Sequence, residues 1–349
     1  MTSNYKDLTW NQSLVQLHNT MFDSKGVLKP QYAQHINCPI CNESKAVDYC
    51  TKDLFCYKRC VSCGMIYMNP RLNNEATLSF YNSLANEIYN KSKFHTSAGS
   101  TIIDDGINKE NLELIQEYYL NNKETGKIYK KKILEIGCGN GYFLKAAVDA
   151  GLEAYGVELN EKNIQVAKES SGAVAIYNDD LLSLPLSDAS FDIIYMRDVI
   201  EHLHDPIAIL TKINQLLKPE GIVFIETHNI EGLIHKLVRG KHTCIFGFEH
   251  PVHWSPATLK KALNTCGLNT LSINFESRDF TLSHIFQYFI SPTSTTIFPW
   301  KANIFLKYIL KILCFILRLP IIRHIDCYVF PRFANAVRAG STMKIIAMK

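Results

Sequence analysis

The sequence predicts an α/β chain: a mostly parallel, doubly wound sheet with a small metal-bound domain ahead of it. Three observations carry this. An apolar run at 133–136 opens into Gly137, Gly139 and Gly141 and then into a helical stretch that ends at Gly151, the strand, tight turn and helix that begin a nucleotide-binding sheet. Apolar strands and helical stretches then alternate to residue 227, as parallel βα units do. Two C-x-x-C pairs stand well before the glycines.

A chain of 349 residues suffices for one large domain and a small one. Its net charge of +4 comes without any long block of one sign, so nucleic acid is not expected as a partner. The first residues, MTSNYKDLTW, hold no apolar signal region, and a cytoplasmic protein is expected. Eleven cysteines in so long a chain are few, and odd in number. A reducing compartment with a metal site fits them better than a disulfide framework.

Taken in order, residues 1–70 form the small domain. Cys38 and Cys41 make one pair, Cys60 and Cys63 the other, with eighteen residues between them. Paired this way, four thiolates can close a tetrahedral zinc site, which makes Zn2+ structural rather than catalytic. So short a segment buries little core, and the ion would supply folding energy of roughly 10–16 kcal/mol in apparent terms. Neither C-x-x-C opens a helix within a βαβ unit, which disfavours redox chemistry. Cys50 and Cys56 are read as spare thiols, with one of them replacing a ligand as the alternative. Residues 71–125 are polar, with helices expected around 75–90 and 108–121 and a boundary at 121–127. The large domain takes 126–349.

Within it, LEAYGVEL at 152–159 is the second strand, and Glu158 at its end can accept hydroxyls of an adenosine ribose. Asn160 caps the next helix. AVAIYN (173–178) and FDIIYM (191–196) are the third and fourth strands, Asp205 and Pro206 open a helix to Leu217, and KPEG turns into a strand at 222–227. A nicotinamide fingerprint needs a small residue where helix and strand pack closely. That position holds Tyr142 in one register and Leu144 in the other, so the fingerprint fails.

What stands there instead is E-x-G-x-G-x-G, with Glu135 two residues before Gly137. This resembles motif I of the class I S-adenosylmethionine-dependent methyltransferases. GVELN, DLLSLPLSDASFD, MRDVIEHLHDP and LLKPEGIVFIE follow in the order of that family's later motifs. The resemblance covers 131–229 densely. It implies a Rossmann-like sheet whose last strand, TMKIIAMK, is antiparallel. It also implies S-adenosylmethionine as cofactor, with Glu135, Gly137, Gly139, Gly141, Glu158, Asp180 and Leu181 around it. A four-cysteine, zinc-ribbon-like domain ahead of such a sheet is similar to bacterial sugar and natural-product methyltransferases, as is FGFEHPVHWSPATLKKALNTCGL at 246–268, with Trp254 where that group has phenylalanine. No G-x-S-x-R motif of the C-methylating deoxysugar enzymes is found.

A hydroxyl acceptor requires a base, and histidine serves near neutral pH. Seven of the twelve histidines fall between 202 and 253. His253 or His250 is expected as the base, with His202 and His228 lining the acceptor pocket. A metal set of His202, His204, His250 and His253 is the lesser alternative. Near the C-terminus, NIFLKYILKILCFILRLPII at 303–322 is apolar apart from Lys307, Lys311 and Arg318. It reads as an inserted helix at about 300–330, either packing over the sheet or the acceptor site or lying at a membrane surface. The function expected is methyl transfer to a hydroxyl, less readily to carbon or nitrogen, of a small molecule, sugar or glycan intermediate. The alternatives are an NAD-dependent oxidoreductase and a non-catalytic zinc-knuckle binding module.

Overall fold

The computed structural model describes residues 3–81, 83, 97–122, 130–238, 244–277, 332, 335–336 and 339–349. The apolar stretch at 303–322 and residues 123–127 of the boundary expected at 121–127 lie outside them. Among the described residues no helix is long and apolar enough to cross a membrane.

The large sheet is built from β6 (Lys132–Ile136), β7 (Glu153–Val157), β8 (Ala175–Tyr177), β9 (Phe191–Arg197), β10 (Leu217–His228), β12 (Asn269–Glu276) and β13 (Thr342–Met348). Its order is β12-β13-β10-β9-β6-β7-β8. The pairs from β10 to β8 are parallel. β13 inserts antiparallel between β10 and β12, so the last strand runs against its neighbours as expected. KPEG is not a turn outside the strand: β10 starts at Leu217 and absorbs it in an irregularity before Ile222.

The helices follow from local chemistry. After β6, α4 (Tyr142–Asp149) buries Phe143, Leu144 and Ala147 on one stripe. Phe143 stacks on Tyr195 of β9 with ring centroids 3.6 Å apart. α5 (Glu161–Ser170) is capped by the Asn160 side chain, which accepts from two backbone amides. α6 (Pro206–Leu216) has the Asp205 carboxylate on the Ala208 amide and proline in its first turn. A reciprocal Ser255–Thr258 pair opens α8 (Pro256–Thr265). Between them lies the short α7 (Leu233–Val238).

The N-terminal part starts with α1 (Ser3–Met21) and a two-stranded pairing of β1 (Ala33–Gln34) with β5 (Arg71–Leu72). The cysteine ribbon is β2 (Ala46–Lys52), β3 (Phe55–Cys60) and β4 (Ile66–Met68), all antiparallel. Its fourth strand comes from the large domain: β11 (Val252–His253) pairs with β4. One apolar core accordingly holds Cys38, Ile40, Cys60, Met65 and Tyr67 together with Ile200, Val252 and Trp254. α2 (Asn74–Tyr81) covers the first part of the helix expected at 75–90. The helix expected at 108–121 is part of α3 (Ser97–Asn122), whose Asn111 bonds Tyr195 of β9 and Glu226 of β10. That helix is therefore a layer on the sheet, joined to it by a buried polar network.

Candidate active site

The cofactor side forms where β6 and β7 end. Gly137, Gly139 and Gly141 all have positive φ, the left-handed region that side chains disfavour. A Cβ on Gly137 would come within 2.6 Å of Val199 Cγ2. The glycine turn therefore lies directly against the segment that follows β9. A Cβ on Gly139 would meet nothing within 4 Å, so the turn opens there. Glu158 ties the two strand ends together. Its Oε2 accepts from the Gly139 amide at 2.9 Å, and its Oε1 from the Leu159 and Asn160 amides at 3.0 and 2.8 Å. A carboxylate has about four lone-pair directions, so about one remains for a ligand hydroxyl.

Glu135 lies beneath the turn, buried, and burial pushes its carboxyl well above the usual range; Arg197 opposes the shift and Glu158 adds to it. Its Oε2 is buried without a hydrogen-bond partner, a placement that a cationic ligand would relieve. Asp180 is exposed past β8, and its Oδ1 caps the Leu182 amide at 2.8 Å. Leu181 turns its side chain into the apolar core, so any part it plays toward a ligand falls to its backbone. The open turn, the fixed Glu158 carboxylate and the unpartnered Glu135 oxygen fit an adenosine-bearing cation such as S-adenosylmethionine.

On the other side of Val199, three segments deliver imidazoles to one place. The 3-10 turn Ile200–His202 carries Glu201 and His202, the end of β10 carries Thr227 and His228, and the loop into β11 carries His250 and His253. His228 Nε2 lies 2.9 Å from His253 Nδ1, and its Nδ1 lies 3.4 Å from Glu201 Oε1. Glu201 Oε2 accepts from the Thr227 hydroxyl at 2.9 Å. The His202 and His250 rings are 4.6 Å apart, and His228 and His250 5.5 Å.

Burial alone would raise the Glu201 carboxyl, but the hydrogen bond and charge of His228 hold it below the usual carboxylate range. Burial pushes His250 well below its ordinary value, reinforced by His202 and His228. His253 is wholly buried, and Tyr57 of β3 lies 5.0 Å from it ring to ring. The Tyr57 hydroxyl donates to the His250 carbonyl at 3.2 Å. His202 and His250 are partly exposed. His204 stands apart from the group: its carbonyl accepts from Arg71, and its ring faces Thr77 at 3.4 Å. Sequence reasoning missed Glu201, although it directly precedes His202. It also missed Tyr57, which no motif marks because it arrives from the cysteine ribbon.

The four cysteines converge. Cys38 and Cys63 sulfurs lie 3.4 Å apart, Cys41 and Cys60 3.6 Å, and all four within 4.8 Å of one another. Thiolates about 2.3 Å from a tetrahedral zinc lie about 3.8 Å apart, so the set fits that ion closely. Burial pushes the Cys38 thiol up and the Cys63 thiol to about 11, so an ion entering here displaces protons.

Residues 107–273 match a family model described as a methyltransferase domain. A ubiquinone biosynthesis O-methyltransferase of Actinobacillus pleuropneumoniae is 30% identical over 120 residues, 32% of this chain and 51% of the relative. One from Bordetella avium is 27% identical over 197 residues, 51% of this chain and 78% of the relative. The chain spans about half the length of several of the curated relatives it matches. A solved S-adenosylmethionine-dependent methyltransferase from Archaeoglobus fulgidus overlaps at a TM-score of 0.41 with 20% identity, covering 68% of this chain and 94% of the other.

Proposed function

We propose that this chain, which carries a class I S-adenosylmethionine-dependent methyltransferase domain, moves a methyl group onto a hydroxyl of a small organic acceptor. A sugar or glycan intermediate is the acceptor class favoured by the cysteine ribbon ahead of the domain. One observation carries the reading: the glycine turn and the histidine group adjoin across Val199, at the ends of β6, β9 and β10. Ligands of such sheets bind beyond the carboxyl ends of the strands.

S-adenosylmethionine supplies an electrophilic methyl when bound. The protein's part is to hold donor and acceptor in line, which is where much of the ~7–11 kcal/mol available from positioning arises. Glu158 and the Gly139 amide would hold the ribose side, Asp180 and the Leu181 backbone the adenine side, and Glu135 the cationic side. The acceptor's proton would go to the histidine group, through His202 or His250, with His228 and His253 behind them. His253, wholly buried, suits a positioning role better than direct contact. The O-methyltransferases among its relatives support a hydroxyl over carbon or nitrogen. The cysteine set is read as holding a structural Zn2+.

Calorimetry with S-adenosylhomocysteine and with NAD tests the reading. Binding of the first and not the second is expected, with at least about tenfold loss in Glu158→Ala, the scale of one removed charge-assisted contact. Failure of the wild type to bind S-adenosylhomocysteine would remove it.

A further inference from the structure

We propose that Glu201, His202 and His250 form a second metal site, separate from the cysteines, for a divalent transition-metal ion. One ligand atom from each lies within 4.8 Å of the other two. Ligand atoms 2.0–2.2 Å from a common zinc-like ion lie at most about 4.4 Å apart, so a small inward movement of the rings closes the set. Two imidazoles and a carboxylate leave coordination positions open, the composition of a reactive ion rather than a structural one. The four thiolates of the ribbon leave none.

The surroundings orient these groups as metal ligands are oriented. The Cys244 carbonyl can only accept a hydrogen, so His250 carries its proton on Nδ1 and presents Nε2 as a lone pair. Glu201 is buried, and its carboxylate is fixed by the Thr227 hydroxyl and faced by His228. His202 Nδ1 is buried with no hydrogen-bond partner, a cost that protein interiors rarely leave standing. The set differs from the histidine quartet expected from sequence. His204 turns to Thr77 and His253 is taken by His228, while Glu201 supplies the anionic ligand.

The role of the ion rests on the methyl-transfer reading, though the site does not. With open positions beside the glycine turn, the ion would hold an oxygen of the acceptor. The ion would lower the pKa of the hydroxyl it holds, whose proton would leave to water; His202 and His250 would serve as proton acceptors only in the metal-free protein.

The test uses the full chain, freed of metal with a chelator and titrated with cobalt(II), followed by calorimetry and visible absorption. The wild type is expected to take one equivalent with the intense absorption of thiolate ligation and a further equivalent without it. His250→Gln and His202→Gln should keep the thiolate equivalent and weaken the other by about tenfold or more, and Cys63→Ser should do the reverse. S-adenosylhomocysteine titration of each variant reports whether it is folded. Glu201→Gln, close in shape, is the second probe should an imidazole variant fail that check. A wild type that takes only the thiolate equivalent, or a folded His250→Gln that keeps both, overturns the site. Loss of S-adenosylhomocysteine binding in the wild type, with both equivalents present, would instead remove the methyl-transfer reading and leave the site standing.

Discussion

At Gly137 two constraints coincide, a φ of 72° and a Val199 methyl 2.6 Å from where a Cβ would stand. Gly137→Ala should therefore cost more than the ~1 kcal/mol of a left-handed residue alone, and it should push apart the turn and the histidine-bearing segment. Thermal unfolding and S-adenosylhomocysteine calorimetry on the one variant should both register it, and unchanged affinity would contradict the close approach. His18 makes the pH case. It is buried among Phe22, Phe55 and Phe248, and desolvation lowers it to about 4 from 6.5. The folded state holds this imidazole neutral, so below about pH 6.5 the unfolded chain binds more protons and stability falls as the pH drops toward 4. Urea unfolding at pH 7.5 and pH 5 should show the wild type losing up to about 2 kcal/mol more than His18→Leu. The glycines and Glu158 were legible in the sequence because backbone turns and strand ends leave local signatures. Leu181 was expected beside the adenine, and no local rule told that its side chain serves the core.

At the scale of elements, strand and helix starts could be read closely, since Asn160, Asp205 and Ser255 each cap through their own side chains. What could not be read was β11. Two residues, Val252 and His253, have no strand signature of their own, and they become a strand because β4 offers an edge. Trp254 then fixes the exit, its indole donating to the Ile200 carbonyl at 3.2 Å. This strand pair joins the cysteine ribbon to the histidine group, alongside the Tyr57 hydroxyl on the His250 carbonyl. Chelating the Zn2+ proposed for the ribbon should accordingly raise hydrogen exchange at 66–68 and 252–253 together, while β6 and β9 stay protected. Exchange confined to the ribbon would show that β11 holds without it. Trp254→Ala, which empties a wholly buried site, should cost about 3–5 kcal/mol.

Across the whole molecule, the parallel half of the sheet follows from sequence-local βα units, each strand lying beside one from a neighbouring unit. The antiparallel half does not, because β12 and β13 are separated by some sixty-five residues of chain and meet only through tertiary structure. The resemblance implies the direction of β13, and its place between β10 and β12 is set by tertiary structure. Among the described residues β12 has no sheet partner except β13, which also covers β10 from Ile222 to His228. Lys344 fastens it further: buried on β13, its ammonium lies 2.9 Å from Glu276 of β12 and 3.1 Å from Glu110 of α3. The end of the chain thus holds an outer strand, a layer helix and the strand that carries His228. Deleting residues 340–349 should strip β12 from the sheet and bare the apolar edge of β10. The deletion protein should unfold without a single cooperative transition and expose apolar surface to a reporter dye. Lys344→Met should keep the strand but lose the two ion pairs, lowering stability by about 1–3 kcal/mol because the carboxylates left behind are partly solvated. A truncated chain that still unfolds cooperatively would mean that β10 and β12 find each other without β13, contrary to the strand order.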